Sequence, residues 1–291
     1  MLPWNDRTGR LSWLKLVAFA GVIAPGLWLA IQAAGGLLGS KPVTEAIHQT
    51  GDWTVRLLLL SLAVTPARHV FNWPRLILIR RMVGVAALAY AVLHLGLYVV
   101  DQAYDLPKVA SEIVLRFYLT IGFVALIGLA VLGVTSTDAM IRRLGAVSWN
   151  RLHRIVYGLA VLAILHFFLQ SKIDVTEPTL MAGLFLWLMG FRLMRRLNLA
   201  ATPLELAGLA AAAAAATAAL ETAWYALRTG VMASRVFMAN FSVDIGLRPA
   251  AWVLLGGLVM AGLAAIRRPS RPGGRRRLAG RMARSEMANG A

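Results

Sequence analysis

The sequence predicts an all-α membrane protein, built as a six-helix transmembrane bundle followed by two additional C-terminal transmembrane helices. Apolar residues make up 59% of the 291 residues, and charged residues make up only 15%. Soluble domains carry about 25% charged residues, and a folded soluble chain has too little interior to bury this much apolar surface. The mean hydropathy of +0.67 agrees with this composition. The lipid bilayer is therefore the expected solvent.

Eight apolar stretches are candidates to cross the hydrocarbon core, which takes about 20 residues in a helix. They lie near residues 12–34, 53–67, 82–100, 117–134, 152–169, 179–197, 203–226 and 249–266. The second stretch is short, and we expect it to end at Pro66. The seventh is rich in alanine and carries Glu205 and Glu221 near its ends, so its apolar signal is the weakest of the later stretches.

These stretches divide the chain into four regions. Residues 1–11 form a cytoplasmic N-terminus, 12–197 a transmembrane domain, 198–266 an extra two-span region, and 267–291 a basic tail that we expect to be disordered and cytoplasmic. The first apolar run is longer than the core of a signal peptide and many spans follow it, so it is expected to remain as an anchor helix.

The positive charges predict the orientation. With the N-terminus in the cytoplasm, 22 of the 30 Lys and Arg residues fall on the cytoplasmic side, and 9 of the 13 acidic residues fall on the other. This asymmetry is the positive-inside rule. It accounts for the formal charge of +17 without a nucleic-acid partner. The expected location is the bacterial inner membrane.

The residue types restrict the cofactors. The chain has no cysteine, which excludes disulfides, iron–sulfur clusters and covalent haem attachment through Cys-x-x-Cys-His. No Gly-rich phosphate loop follows a strand pattern, so a soluble nucleotide-binding domain is not expected. Any metal must be held by the five histidines, by carboxylates or by methionine.

His94 and His166 are the first candidate metal ligands. His94 lies 12 residues into the third stretch and His166 lies 14 residues into the fifth. Both stretches are expected to run from inside to outside, so at about 1.5 Å per residue the imidazoles reach nearly the same depth in the outer half of the membrane. Two histidines at one depth on neighbouring helices are the arrangement that bis-imidazole haem ligation requires.

Two other interpretations of His94 and His166 are possible from the sequence. A single intramembrane histidine is more often a polar residue bonded to a neighbouring helix, but a depth-matched pair among few other buried charges favours ligation. A metal transporter would add carboxylates or further histidines near the midplane, and the spans have no central Asp or Glu.

His153 lies at the cytoplasmic end of the fifth stretch, about 19.5 Å of helix rise before His166, which suits a second haem. An ideal helix would turn the two rings about 140° apart, so an interfacial role is equally consistent. On the third stretch Arg80 and Arg81 occupy the matching inner position. They are candidates to bind haem propionates or a flavin phosphate, although positive-inside anchoring also explains them. His48 and His69 are expected in solvated loops.

The sequence resembles the MsrQ (YedZ) family of haem-binding membrane subunits, within the ferric-reductase-like transmembrane group. The resemblance covers roughly residues 10–197 and leaves the last two spans and the tail without a counterpart. The residues that carry it are Arg80-Arg81-Met82-Val83-Gly84, Tyr90, His94, Tyr98 and Asp101; Thr50-Gly51-Asp52-Trp53; Leu62-Ala63-Val64-Thr65-Pro66; Arg116-Phe117-Tyr118 and Gly122; and Arg143-Leu144-Gly145, Trp149, Leu152-His153-Arg154, Tyr157 and His166.

The resemblance implies a subunit with one or two b-type haems that takes electrons from the respiratory quinone pool. It would pass them to a periplasmic molybdopterin methionine sulfoxide reductase that repairs oxidised proteins. The resemblance also implies ligation by His94, His153 and His166, and an associated FMN. Carboxylates on the outer face are candidates to dock that partner. They are Asp101, Asp105, Glu112, Asp174 and Glu177. Solvation in surface loops also explains these residues and is the simpler interpretation.

Two alternatives stay open. One is a ferric-reductase-type electron carrier with another acceptor, although such enzymes usually carry a fused flavin and nicotinamide domain that this chain lacks. The other is a polytopic transporter, which would have broken helices and internal symmetry.

Overall fold

The structure, a computed structural model, describes residues 2–5, 8–172, 174–242 and 246–266. Within these residues the chain forms twelve α-helices and one 3-10 helix, and no β-strand. The helices are α1 (Trp13–Ala34), α2 (Pro42–Val70), the 3-10 helix (Pro74–Ile79), α3 (Arg80–Asp101), α4 (Leu106–Leu115), α5 (Phe117–Val134), α6 (Asp138–Leu144), α7 (Ala146–His153), α8 (Val156–Ser171), α9 (Thr176–Arg196), α10 (Pro203–Thr229), α11 (Ala233–Ala239) and α12 (Pro249–Ile266).

The predicted all-α membrane fold is confirmed. Six helical segments of the described chain are long and apolar enough to span a membrane: Trp13–Ala34, Pro74–Asp101, Phe117–Val134, Ala146–Ser171, Pro203–Thr229 and Pro249–Ile266. Large apolar side chains on their outer faces are exposed, as in Trp13, Val124 and Val259. These faces suit contact with lipid rather than water.

The other two expected spans, α2 and α9, are helices of 29 and 21 residues. Both are long enough to cross a membrane, but their charged residues lower their hydropathy, so they are not among the six apolar segments. Their crossing of the membrane stays a prediction. Within the bundle α2 packs against α3, α8, α9 and α1. Leu57, Leu58 and Leu62 are at most 2% exposed. Arg56 of α2 pairs with Glu177 of α9 at 2.8 Å. Protein neighbours therefore replace lipid around α2.

The expectation that the second span ends at Pro66 is wrong, because α2 continues to Val70. Proline has no N–H, so it leaves the carbonyl of the residue four positions earlier without its helical donor. That carbonyl belongs to Leu62, and it accepts a hydrogen bond of 2.6 Å from Nη2 of Arg192 on α9. A neighbouring helix thus satisfies the group that the proline frees, which is how membrane helices tolerate proline.

A hydroxyl group joins α1 to α3. The Tyr90 hydroxyl on α3 donates to the Val22 carbonyl at 3.0 Å and accepts from the Gly26 N–H at 2.6 Å. Those two backbone groups are four residues apart on α1, next to Pro25. The Tyr90 hydroxyl therefore bridges one step of the α1 hydrogen-bond ladder.

The C-terminal region packs directly on α9 and α2. Thr202 and Glu205 form a capping box at the start of α10, and Gly230 ends this helix in the left-handed conformation. Gly183 of α9 and Gly257 of α12 lie where α9, α10 and α12 meet so closely that an added Cβ would contact the neighbouring helix. One apolar core includes side chains from both regions. The basic tail, 267–291, lies outside the described residues.

Candidate functional site

His94 projects from α3 toward α2. Its Nδ1 lies 2.8 Å from the carbonyl oxygen of Ile47, and the side chain is half-buried. The ring lies over Gly51, where a Cβ would stand 3.1 Å from Cε1 and Nδ1 of the imidazole. The absence of a side chain at Gly51 lets the ring lie against the α2 backbone.

His166 has the same arrangement on another pair of helices. It projects from α8 toward α5, and its Nδ1 lies 2.8 Å from the carbonyl oxygen of Tyr118. Its ring lies over Gly122, where a Cβ would stand 2.8 Å from Cε1 and Nδ1. That distance is shorter than real Cβ contacts, so this ring position requires glycine.

The surroundings of His94 and His166 have the same arrangement of glycine and carbonyl. In each, the carbonyl that faces Nδ1 belongs to the residue four positions before the glycine. A carbonyl oxygen only accepts hydrogen bonds, so Nδ1 carries the hydrogen in both rings and Nε2 keeps its lone pair. A carbonyl partner of this kind fixes the orientation of a metal-binding imidazole and strengthens it as a ligand.

The two rings lie together, as the depth count predicts. Their centroids are 6.4 Å apart and their planes are at 86°. One metal between the rings, bound by both Nε2 atoms at about 2 Å from each, would place the ring centroids about 6 Å apart. The observed spacing fits a single metal shared by His94 and His166.

The donor set identifies the kind of metal centre that fits. Among the described residues, no group of three or more His, Asp or Glu side chains could hold a metal ion. Protein zinc sites use at least three protein ligands. Haem iron needs only axial ligands from the protein, because the porphyrin supplies the others. Two imidazoles alone therefore fit haem iron and do not fit a bare ion.

A polar network lies at the same end of the bundle as the histidine pair. Glu112 of α4 accepts from the Tyr98 hydroxyl at 2.6 Å and from Arg116 at 2.8 Å. Arg116 also donates to the Tyr118 hydroxyl at 3.2 Å. The hydrogen bond to Tyr118 raises the pKa of Arg116 above its ordinary value. The hydroxyls of Tyr90 and Tyr98, four residues either side of His94, bind the Val22 carbonyl and Glu112 rather than the histidines.

His153 lies elsewhere. Its ring stacks on Trp149 with centroids 3.8 Å apart, its Nδ1 lies 3.1 Å from the Trp149 carbonyl, and its Nε2 lies 3.3 Å from the Ser136 hydroxyl. Both ring nitrogens thus have protein partners. Trp149 itself donates to the Thr135 carbonyl at 2.8 Å.

The inner arginines lie near His153 rather than near the histidine pair. Arg81 forms an ion pair with Asp138. Arg80 is in electrostatic range of His153, Tyr157 and Arg192. Both begin α3, 13 to 14 residues before His94, which is about 20 Å of helix rise. The structure therefore does not bring Arg80 and Arg81 to the His94–His166 pair.

The remaining histidines and the outer carboxylates have local explanations. His48 and His69 were expected in loops, but both lie within α2. Each carboxylate of the expected docking rim has a partner in its own chain. Asp101 accepts from Gln102, Asp105 caps α4, Glu112 binds Tyr98 and Arg116, Asp174 accepts from the Thr176 N–H, and Glu177 binds Arg56. The bond from Thr176 lowers the pKa of Asp174.

Sequence reasoning missed the groups that position the imidazoles. The carbonyls of Ile47 and Tyr118 carry no residue-type signal, because every residue has a carbonyl. Gly51 and Gly122 were part of the family resemblance without an assigned role. A glycine in the middle of a long helical stretch was the available signal, since glycine there costs about 1 kcal/mol relative to alanine.

The chain is similar to known proteins. The profile of the family described as "Ferric reductase like transmembrane component" matches residues 50–164. The "Protein-methionine-sulfoxide reductase heme-binding subunit MsrQ" of Rhodospirillum rubrum is 41% identical over 195 residues, which are 67% of this chain and 91% of that protein. The proteins of the same name from Xanthomonas campestris pv. campestris and Caulobacter vibrioides are 40% and 39% identical, over 63% and 58% of this chain and 87% and 81% of their own. No solved structure matches.

Proposed function

The chain belongs to the MsrQ family of haem-binding, ferric-reductase-like membrane proteins, and from this premise we propose that it carries electrons through the membrane on a b-type haem held by His94 and His166. The single observation that carries the proposal is the spacing of the two rings, 6.4 Å between centroids with each Nδ1 bound to a carbonyl. The name of the relatives supports haem as the cofactor.

The residues of this chain hold and orient the cofactor. Bound haem supplies a one-electron carrier. The neutral imidazoles offer Nε2, while the carbonyls of Ile47 and Tyr118 keep the rings from rotating. The surrounding apolar helices exclude water, which with the ligands sets the redox potential.

We propose that electrons enter from the respiratory quinone and leave toward a periplasmic molybdopterin methionine sulfoxide reductase, where the sulfoxide chemistry takes place. The name of the relatives, a subunit of a protein-methionine-sulfoxide reductase, supports this acceptor. The position of the pair also supports an outer exit, since Tyr118 lies in the first turn of α5, beside α4. The proposed location is the inner membrane, with the N-terminus in the cytoplasm.

A second, separate part of the proposal concerns the residues at the other end of the bundle. Arg80, Arg81 and His153 lie together near α6 and α7, where they would contact either a second haem or the FMN. A ligand role for His153 requires its Nε2 to leave Ser136. We therefore expect one haem at the outer pair.

Reduced-minus-oxidised optical spectra of membranes test the haem assignment. The wild type should give a b-type signal, and His94→Ala and His166→Ala should each abolish it, because one axial ligand is lost. His153→Ala should retain it, and His48→Ala, on an exposed position of α2, is the matched control.

A wild type without a b-type signal would overturn the electron-carrier proposal. Retention of the full signal in both His94→Ala and His166→Ala would exclude the pair as ligands. Loss of about half the signal in His153→Ala would assign a second haem to the inner end.

A further inference from the structure

A polar cavity lies at the end of the bundle that carries the inner arginines. Its volume is about 300 Å³, and it opens between the ends of α2, α9 and α12. Its polar lining comes from Arg68, His69, Asn72 and Arg195, and its apolar lining includes Phe191 and Ala264. The cavity is thus formed by α2 and α9 together with α12, the last described helix of the C-terminal region.

The cavity has excess positive charge. Within the part of the chain that the structure describes, neither Arg68 nor Arg195 has a carboxylate or a side-chain hydrogen-bond partner. Arg80 lies in electrostatic range of Arg68, and it is in turn close to Arg192. Guanidinium groups without acidic partners that converge on one cavity favour an anionic ligand, and phosphate oxygens match their geometry.

An apolar groove adjoins this cavity along the same three helices. Its volume is about 350 Å³, and its lining is almost wholly apolar. Ala67 and Phe71 line the groove, while Arg68 and Asn72, the next residue after each, line the cavity. The groove follows α2 from Phe71 back to Arg56, which is about 22 Å of helix rise. That length exceeds half of a bilayer's hydrocarbon core, about 15 Å, so the groove is long enough for an acyl chain.

We propose that the cavity and the groove together bind one anionic phospholipid. The phosphate of the headgroup lies between Arg68 and Arg195, and an acyl chain lies in the groove between α2, α9 and α12. Basic pockets between membrane helices on the cytoplasmic side commonly bind such headgroups. Because α12 forms one wall of both parts, the site depends on the C-terminal region and is separate from the histidine pair.

The first experiment measures lipid retention by the full-length protein. Purified protein is exchanged into detergent doped with phosphatidylglycerol or phosphatidylcholine at equal concentration, and the retained lipid is measured by native mass spectrometry. The expected result is preferential retention of one phosphatidylglycerol per chain. Equal retention of the two lipids would overturn the proposal.

The second experiment removes the charge. Arg68→Gln with Arg195→Gln should weaken phosphatidylglycerol retention about 30-fold, taking about 1 kcal/mol for each arginine at a membrane surface. The double variant Arg142→Gln with Arg143→Gln loses the same charge from α6, outside the cavity, and should retain the lipid. Equal loss in both double variants would contradict a built headgroup site. An unchanged haem spectrum checks that each variant is folded.

The third experiment fills the groove. A Cβ at Gly256 or at Gly262 of α12 would meet no atom within 4 Å, but only Gly256 lines the groove. Gly256→Leu should therefore lower lipid retention, and Gly262→Leu should leave it unchanged. If Gly256→Leu lowers retention while the Arg68–Arg195 double variant does not, the occupant is a neutral apolar molecule such as a quinone, and the phospholipid proposal fails. If glycerol phosphate fully displaces the bound phosphatidylglycerol, the headgroup alone accounts for binding. That result would also exclude the groove as an acyl-chain site.

Discussion

At the scale of single residues, the site depends on two glycines and two carbonyls as much as on two histidines. Each imidazole lies close to a helix backbone at a glycine, where a side chain would crowd the ring. Each Nδ1 finds a carbonyl oxygen four residues before that position. A histidine held in this way keeps one tautomer and one orientation, which lowers the entropy that ligand binding must overcome.

Gly122→Ala tests this arrangement. The added Cβ would stand 2.8 Å from the His166 ring, so either the ring or α5 must move. Overpacking of this kind costs about 1–3 kcal/mol, which corresponds to a haem affinity about 5-fold to 150-fold weaker. The measurement is haem content per purified chain, together with the EPR signal of the oxidised protein.

Gly51→Ala should weaken haem binding less, since its Cβ would stand 3.1 Å from the His94 ring. Gly84→Ala is the control, because a Cβ there meets nothing within 4 Å, and alanine favours the helix by about 1 kcal/mol. Full haem content in Gly122→Ala would show that the ring position does not need glycine.

A second residue-scale feature is a buried ion pair in the C-terminal region. Glu221 of α10 is 0% exposed and binds Arg248 at 2.6 Å and Asn240 at 3.1 Å. A buried pair of this kind contributes little against an apolar replacement, but the loss of one partner leaves an uncompensated charge.

Glu221→Leu should therefore destabilise the protein by about 1–3 kcal/mol, less than for a fully buried pair because the Arg248 side chain is 24% exposed, and the double variant Glu221→Leu with Arg248→Met should recover most of that loss. Denaturant unfolding of the purified chain, followed by tryptophan fluorescence, measures both. Because Glu221 does not contact the histidine pair, the haem spectrum of the folded fraction should stay unchanged. Equal destabilisation in the single and double variants would mean that the two charges are not coupled.

At the scale of helices, α2 and α9 depend on each other. Pro66 frees the Leu62 carbonyl inside α2, and Arg192 of α9 donates to it at 2.6 Å. Leu62 is 0% exposed, so water cannot take the place of this donor. Arg56 and Glu177 join the same two helices nearer their other ends. The polar residues that reduce the hydropathy of α2 and α9 are therefore the ones that bind these helices together.

Arg192→Leu should destabilise the protein by about 1–3 kcal/mol, the cost of a buried carbonyl without a donor. Pro66→Ala restores the N–H that this carbonyl lacks, so adding it to Arg192→Leu should recover at least about 1 kcal/mol. Thermal unfolding in detergent measures the stability of the wild type, the two single variants and the double variant. Arg196→Leu, on the exposed side of the same helix end, is the control for lost charge. Additive effects of Pro66→Ala and Arg192→Leu would contradict the proposed coupling.

At the scale of the whole molecule, the question is which helices cross the bilayer. Six helical segments are apolar enough by composition. With α2 and α9 added, eight crossings place the loops of α6 and α7 on the side of the N-terminus and α4 on the other. This arrangement agrees with the positive-inside asymmetry of the sequence, and we propose it as the topology.

The chain has no native cysteine, so single cysteines report the topology directly. In intact spheroplasts, Ser111→Cys on α4 should react with a membrane-impermeant maleimide, and Arg143→Cys on α6 should react only after lysis. Both positions lie in exposed parts of short helices. Labelling of both from one side would exclude a crossing by the intervening α5 and require a different orientation.

Much of this architecture follows from the sequence alone. The apolar runs predict the long helices, because only a helix satisfies every backbone group within lipid. The helix rise brings His94 and His166 to one depth, because 1.5 Å per residue holds wherever a helix is regular. The same counting cannot locate His153, since α7 ends there and the chain turns before α8.

The sequence by itself determined the membrane fold and the matched depth of the two histidines, because both depend on the composition and spacing of residues along single helices. The tertiary structure decided what each polar group binds. Pro66 looks like a helix end until Arg192 reaches the Leu62 carbonyl. The Arg68–Arg195 cavity exists only where α2, α9 and α12 end together. Such contacts join residues far apart in the chain, so no local pattern encodes them.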